Sequence, residues 1–258
     1  MWTMSSDRCV IELPSPDRDR VRCVMSLRGD GAGLYDGFNA CHYVGDTPEH
    51  VADSRSRLAR ELDISPGRLV IPRQTHSVEV ATISGESDLK HEYVGVDALV
   101  TSLSGVALCV NTADCVPVVL SDVANGVIGI AHSGWRGAVG RIAAKTVEAM
   151  AGLGADPAGI DVLIGAHICT GCFEVGEEVA EQFLLEFPGG DGDIVHRGYD
   201  KPHIDLSAAV IRTLKEAGVD ASRIADIGIC SRCGDIPLFS ARRDGIASGR
   251  TLTAVMLR

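Results

Sequence analysis

Residues Val106–Ala131 read VALCVNTADCVPVVLSDVANGVIGIA, three short runs rich in valine and isoleucine, interrupted at 111–115 and at 121–126. β-Branched side chains suit the pleated, half-buried surface of a sheet, and the interruptions carry Asn, Asp, Ser and Gly, which favour turns. The runs Val106–Asn111, Val116–Leu120 and Val127–Ala131 therefore predict strands. Their connections are too short for helical crossovers, so antiparallel neighbours are expected. Upstream, the same reasoning predicts strands at Val21–Leu27, Leu69–Ile71, Val78–Ile83 and Ala98–Thr101.

Helical signals separate these runs. Thr47-Pro48 is an N-cap followed by proline at the first helical position, and Val51, Leu58 and Leu62 share one face beyond it. Val139, Ile142, Ala143, Thr146 and Met150 recur at helical spacing over Ala138–Ala151. The clearest helix is Asp205–Ala217, where Leu206, Ala209, Val210, Thr213, Leu214 and Ala217 form one apolar stripe. Asp205 is placed to cap its start and Gly218 its end. No repeat or long linker divides the chain. The expectation is an α+β fold, residues 1–258 forming a single domain with mixed sheets sandwiched between outer helices.

Composition narrows the function. The 258 residues carry 35 Asp and Glu against 24 Lys and Arg, a net charge of −11, which argues against general affinity for nucleic acid or an anionic membrane. Aromatic residues are only 4%, too few for a base-stacking platform. No stretch approaches the roughly 18 apolar residues of a spanning helix, and Met1–Arg20 lacks the apolar segment of an export signal. A cytoplasmic protein is expected. Nine cysteines in a reducing compartment read as buried hydrophobes, metal ligands or nucleophiles before disulfides.

Three segments at strand ends could carry chemistry: Arg73-Gln74-Thr75-His76, Asn111-Thr112-Ala113-Asp114-Cys115 and His132-Ser133-Gly134-Trp135-Arg136-Gly137. Singly, a histidine at a strand end is more often structural, and a cysteine between apolar strands is more often buried and inert. Together, two imidazoles and a thiolate make a three-ligand zinc site with a fourth position open. The third segment also runs into a helix N-terminus, which favours an anion. Asp114 is placed to accept a hydrogen bond beside the site or to carry a proton. The competing chemistry is a nucleophilic Cys115 with His76 or His132 as base. More conspicuous are Cys169-x-x-Cys172 and Cys230-x-x-Cys233, 57 residues apart. Compact zinc ribbons keep such pairs closer, so these pairs read as a structural Cys₄ site, a redox site or ordinary thiols. Arg28, leaving a strand into Gly29-Asp30-Gly31, and Arg242-Arg243 are candidate anion contacts.

Gln74-Thr75-His76, Thr112-Ala113-Asp114-Cys115, His132–Gly137, Phe173-Glu174-Val175-Gly176 and Ser240-Ala241-Arg242-Arg243-Asp244-Gly245 occur in this order. With weaker matches at Tyr35–Asn39 and His42–Asp46, they resemble the laccase-domain purine nucleoside phosphorylase family. Its members are also called multicopper polyphenol oxidases and peptidoglycan editing factors. The resemblance runs from about Met25 to Leu257. It implies a mixed α/β sandwich and a Zn2+ site on His76, Cys115 and His132. It further implies phosphorolysis of adenosine, inosine, guanosine and methylthioadenosine, and deamination of adenosine. Asp114 then joins these three as a catalytic candidate, and Arg28, Asn39 and Arg136 as contacts to nucleoside and phosphate. The partners implied are small molecules, with no nucleic acid or membrane, and the chain acts as a monomer or homodimer.

Two departures bear on the pocket. Ser133 replaces the family's usual alanine and is expected to add a hydroxyl. Gly165-Ala166-His167-Ile168 replaces Gly-Pro-x-Ile, so His167 is an extra candidate ligand or base. Rival readings are copper on the same ligands oxidising phenols, and a hydrolase or binding protein for cell-wall precursors. A structural protein built on a Cys₄ zinc is the last of them.

Overall fold

The three strands of the 106–131 segment form, but not as a meander in one sheet. In the computed structural model, which describes residues 10–29 and 33–258, they are β6 (Ala107–Thr112), β7 (Val116–Asp122) and β8 (Val127–Ser133). β7 and β8 pair antiparallel, from Val116 opposite Ser133 to Asp122 opposite Val127. β6 pairs instead with β13 (Thr251–Leu257), Thr112 lying opposite Thr251. Residues 113–115 thus step from one sheet to another, which corrects the expectation of three antiparallel neighbours. Nothing in the local sequence distinguishes a turn within a sheet from a step between sheets.

The first sheet has the order β1 (Val10–Glu12), β2 (Val21–Ser26), β13, β6, β3 (Leu69–Val70). The second is ordered β12 (Ile224–Asp226), β9 (Asp161–Ile164), β7, β8, β5 (Ala98–Thr101), β4 (Val80–Ile83). Parallel pairs β3–β6, β4–β5 and β9–β12 stand among antiparallel ones, so both sheets are mixed. Of the part of the Gly29–Gly31 loop that follows β2, residues 30–31 lie outside the described residues, as do residues 1–9 of the amino-terminal stretch.

Period-two alternation makes the sandwich. Met25, Leu108, Val110 and Val255 of the first sheet pack against Leu99, Val119, Ile128 and Ile130 of the second. The opposite face of the first sheet, with Cys109, Ala254 and Met256, takes Leu58 and Leu62 of α1 (Pro48–Leu62). The outer face of the second, with Val116, Val118, Leu120 and Ala131, takes α3 (Ile142–Gly152) and α5 (Leu206–Glu216). A side chain at Gly129 would meet Met150 Sδ at 2.9 Å, so its absence lets α3 lie close on the sheet. A one-residue slip in any central strand would turn each of these side chains to the wrong layer.

Both predicted N-caps hold, and Gly218, with φ 94°, follows the end of α5 as expected. Thr47 Oγ1 accepts from the His50 amide at 3.3 Å, and Asp205 accepts from the Ala208 amide at 2.8 Å. The predicted helix Ala138–Ala151 is divided into α2 (Trp135–Val139) and α3 by Arg141, which is left-handed with φ 60°. Gly140 sits so close to Val78 that a Cβ would lie 2.5 Å from its Cγ1, and the Arg141 guanidinium is tied to Glu186 and Glu216. The apolar period continued through the break because both pieces bury on the same layer. With only five residues, α2 is too short to carry the dipole expected to favour an anion. The sequence reading did not anticipate β13, wholly buried at the centre of the first sheet, or the parallel pair β9–β12. Nor did it anticipate β1, α4 (Glu177–Glu186) or the hairpin β10 (Val195–His196) with β11 (His203–Ile204). The remaining α-helix is the single turn α6 (Ala241–Asp244).

Candidate metal centre

The step between sheets places Cys115 immediately before β7, beside His132 near the end of β8. His76 arrives from the loop between β3 and β4. The donor atoms of His76, Cys115 and His132 all lie within 4.8 Å of one another. Cys115 Sγ is 3.7 Å from His76 Nε2, and the two imidazole centroids are 4.9 Å apart. Gly134 closes the cradle: a Cβ there would sit 2.8 Å from His76 Cδ2 and 2.9 Å from Cys115 Sγ.

One carboxylate arranges both imidazoles. Asp97, with no exposed side-chain surface, accepts from His132 Nδ1 at 2.7 Å. It also accepts from three successive amides, Thr75, His76 and Ser77, at 3.0, 3.1 and 2.9 Å. Those bonds hold His76 in a left-handed conformation, φ 61°, which non-glycine residues avoid. His132 thereby turns its other ring nitrogen toward Cys115. Burial would raise the Asp97 carboxyl, but His132 and the backbone amides outweigh it and hold it below its ordinary value. Burial alone would push the Cys115 thiol up, but the imidazoles of His132 and His76 bring it down to about 6. His132 is raised to about 9, the Cys115 sulfur and Asp97 overcoming its burial. The donor set thus favours thiolate. Two nitrogens and one thiolate suit zinc or copper, with bonds of about 2.0–2.3 Å and a position left open. The residues fit a metal ion.

The three donors line a cavity of about 550 Å³, ordinary for a small-molecule site. Trp135, Ile168, Phe173 and Ile246 give it apolar walls, and Arg242 and Arg250 give it positive charge. Asp114 also lines it, but both its oxygens are engaged. Oδ1 accepts from Ser231 Oγ and Oδ2 from the Arg242 amide, each at 2.7 Å. Asn111, only 2% exposed, lines the cavity with neither side-chain polar atom hydrogen-bonded among the described residues. Its backbone is fixed instead by Gln74, whose carboxamide bonds the Asn111 amide and carbonyl, both at 2.8 Å.

Other expected positions lie outside this cavity. Arg28 pairs with Asp244 at 3.1 Å, and Asn39 accepts from the Arg250 amide at 3.1 Å. Neither lines the cavity; each holds the segment that supplies Arg242 or Arg250. Arg136 is exposed and lies over the Trp135 ring at 4.3 Å. Two expectations are corrected. Ser133 is fully buried, its hydroxyl without a hydrogen-bond partner among the described residues and close under Gly137, not in the cavity. His167 bonds the Gly165 carbonyl at 2.9 Å and faces Asp226, joining neither the donors nor the cavity lining. Asp97 and Asn111 were the residues missed. Asn111 lay inside a quoted motif without a role, and Asp97 stood alone before a strand with nothing to mark it.

A four-layer α/β/β/α sandwich with an open two-histidine, one-cysteine centre between its sheets defines the class. Residues 22–258 match the family described as multi-copper polyphenol oxidoreductase laccase, and the chain belongs to that family. Adenosine deaminase RL5, from an unknown prokaryotic organism, is 46% identical over 244 residues, covering 91% of this chain and 93% of that one. Purine nucleoside phosphorylase of Deinococcus radiodurans is 38% identical over 230 residues, covering 89% and 85%. The crystal structure of YlmD from Geobacillus stearothermophilus superposes with a TM-score of 0.90 at 28% identity, covering 99% of this chain and 98% of that one. Among the described residues no helix is long and apolar enough to cross a membrane.

Proposed function

We propose that this protein is a zinc-dependent enzyme of purine nucleosides, cleaving adenosine, inosine, guanosine and methylthioadenosine with phosphate and deaminating adenosine. The observation that carries the proposal is an open His–Cys–His centre in a cavity whose buried Asn111 carboxamide has no hydrogen-bond partner among the described residues. The names of two relatives, an adenosine deaminase and a purine nucleoside phosphorylase, support the nucleoside part of it.

His76, Cys115 and His132 would hold the zinc, with Asp97 fixing the histidines. Zinc there supplies Lewis acidity that makes water a usable nucleophile near neutral pH. An asparagine carboxamide presents one donor and one acceptor side by side, the complement of adenine N7 and N6. Leaving that pair unbonded in a buried site costs about 1–3 kcal/mol, which a purine edge would recover. Phe173, Trp135 and Ile168 offer the base apolar contact. Arg242 and Arg250 are the guanidinium groups at hand for phosphate, with Arg136 beside Trp135 as an outer contact. Asp114, the carboxylate of this lining, is available for proton traffic beyond the two bonds it accepts. Arg28 and Asn39 serve substrate by holding the arginine-bearing segment. We take residues 1–258 as one cytoplasmic domain, monomeric or homodimeric, that acts on small molecules.

The test is chromatography of adenosine incubated with protein of known metal content, with and without phosphate. Adenine formed only with phosphate, and inosine in either case, is expected. Unchanged adenosine at one zinc in the His–Cys–His site overturns the proposal. Dioxygen uptake with a phenol, scaling with copper content, would establish the oxidase reading that the family description carries.

A further inference from the structure

A second group of ligating side chains lies apart from this centre. Cys169 and Cys172 leave the end of β9, and Cys230 and Cys233 leave the end of β12. These strands are parallel neighbours, so segments far apart in sequence emerge side by side at the same end of the sheet. The Ser231 amide donates to the His167 carbonyl at 2.9 Å and the His167 amide to the Ile229 carbonyl at 3.1 Å, lacing the loops together. The four sulfurs converge, all within 4.8 Å of one another.

The two loops turn in the same way. Phe173 donates its amide to the Cys169 carbonyl at 3.1 Å, and Gly234 donates to the Cys230 carbonyl at 3.0 Å. A Cβ on Gly234 would strike that carbonyl at 2.5 Å, so the second turn requires glycine. Each turn brings its two cysteines to one side. Cys230 Sγ further accepts from the amides of Cys169 and Cys233, at 3.3 and 3.5 Å, a setting that favours thiolate over thiol. Cys169 Sγ and Cys233 Sγ are 3.9 Å apart. That is far from the roughly 2.05 Å of a disulfide. It is close to the edge of a tetrahedron with Zn–S bonds of about 2.3 Å, roughly 3.8 Å.

We propose that Cys169, Cys172, Cys230 and Cys233 bind a second, structural zinc ion that clasps the loop supplying Ile168 and Phe173 to the cavity wall against the loop that follows β12. Four thiolates complete a tetrahedron and leave no open position, so this site holds structure and does not bind substrate. Its connections to the cavity are direct. Ile168 and Phe173, which flank the first pair, line the cavity. Ser231, within the second pair, donates to Asp114, and Arg243 of α6 donates to the Ser231 and Arg232 carbonyls at 3.1 and 3.0 Å. The proposal stands whether or not nucleosides are the substrate.

The experiment is elemental analysis of the full chain, purified under reducing conditions with zinc supplied, alongside cobalt substitution. Two zinc ions per chain are expected, falling to one in Cys172→Ser/Cys233→Ser and to one in His76→Ala/Cys115→Ala. The latter variant, which leaves the clasp intact, should take up one cobalt with the intense sulfur-to-metal absorption of four thiolates. That measurement stands even if the clasp variant does not fold. A single zinc in the wild type with none left in His76→Ala/Cys115→Ala overturns the proposal. Iron in the four-cysteine site, or an intact mass showing two disulfides in the folded protein, overturns it equally.

Discussion

The His76–Cys115–His132 centre and the four-cysteine cluster both gather soft ligands from distant segments, yet they are built differently. The first is held by β8, the step into β7 and the loop between β3 and β4, its imidazoles fixed by a buried carboxylate, and offers three donors at the floor of a cavity. The second is carried on loops and offers four sulfurs, enough to complete a tetrahedron. Three donors on fixed residues would leave a reactive position on a bound metal, and four donors on loops would hold those loops together. Sequence prominence ran the other way, the paired C-x-x-C motifs being far easier to see than a histidine, a cysteine and a histidine in separate segments.

The hardest test of this contrast is to remove one donor from the centre. Cys115→Ala is expected to lower nucleoside turnover by at least about 10²–10³-fold and to release one metal ion, with the thermal midpoint little changed. A chelator should act likewise, stripping the open centre first, and only harsher treatment should reach the clasp and depress the midpoint. Simultaneous loss of both metals with unfolding would erase the distinction. Next comes Asp97→Asn, which keeps the shape but weakens the bonds that orient both imidazoles. Metal affinity, measured by competition with a chromogenic chelator, should fall about 10–100-fold. Unaltered affinity would remove Asp97 from its positioning role.

Asn111→Ala probes the cavity without touching either cluster. A loss in kcat/KM of roughly tenfold, about 1.4 kcal/mol, is expected for purine nucleosides at full metal content. Unchanged kinetics would show that the base does not meet this carboxamide. The smallest effect concerns the link between the two regions. Asp244 binds Arg28 and Arg243, and Arg243 reaches the carbonyls of the second cysteine pair. Burial would raise the Asp244 carboxyl, but Arg243, the Ser240 amide and Arg28 outweigh it and hold it below its ordinary value. Its stabilisation is therefore present above the unfolded carboxyl value, about 3.9, and is lost as pH falls through the depressed folded value. Wild type should melt above Asp244→Asn at pH 6, with the gap closing below pH 4. A constant gap in midpoint from pH 6 to pH 3 would speak against the linkage.

Much was legible in one dimension because it is local physics. The β-branched runs located strands of both sheets, and Thr47 and Asp205 marked helix starts through the bonds their side chains accept. The ligand types of the centre were readable too, since imidazole and thiolate are chemical identities that folding does not alter. Which sheet each strand joins was not readable: β6 and β7 are separated by three residues and part company, because pairing is decided by β13 at the far end of the chain. Nor could the sequence single out Asp97 or show Asn111 without a partner among the described residues, since both facts depend on which groups surround a buried atom. Residue chemistry and short-range pattern belong to the sequence. Coordination, desolvation and the meeting of the two cysteine pairs arise only when long-range packing brings their neighbours within a few ångströms.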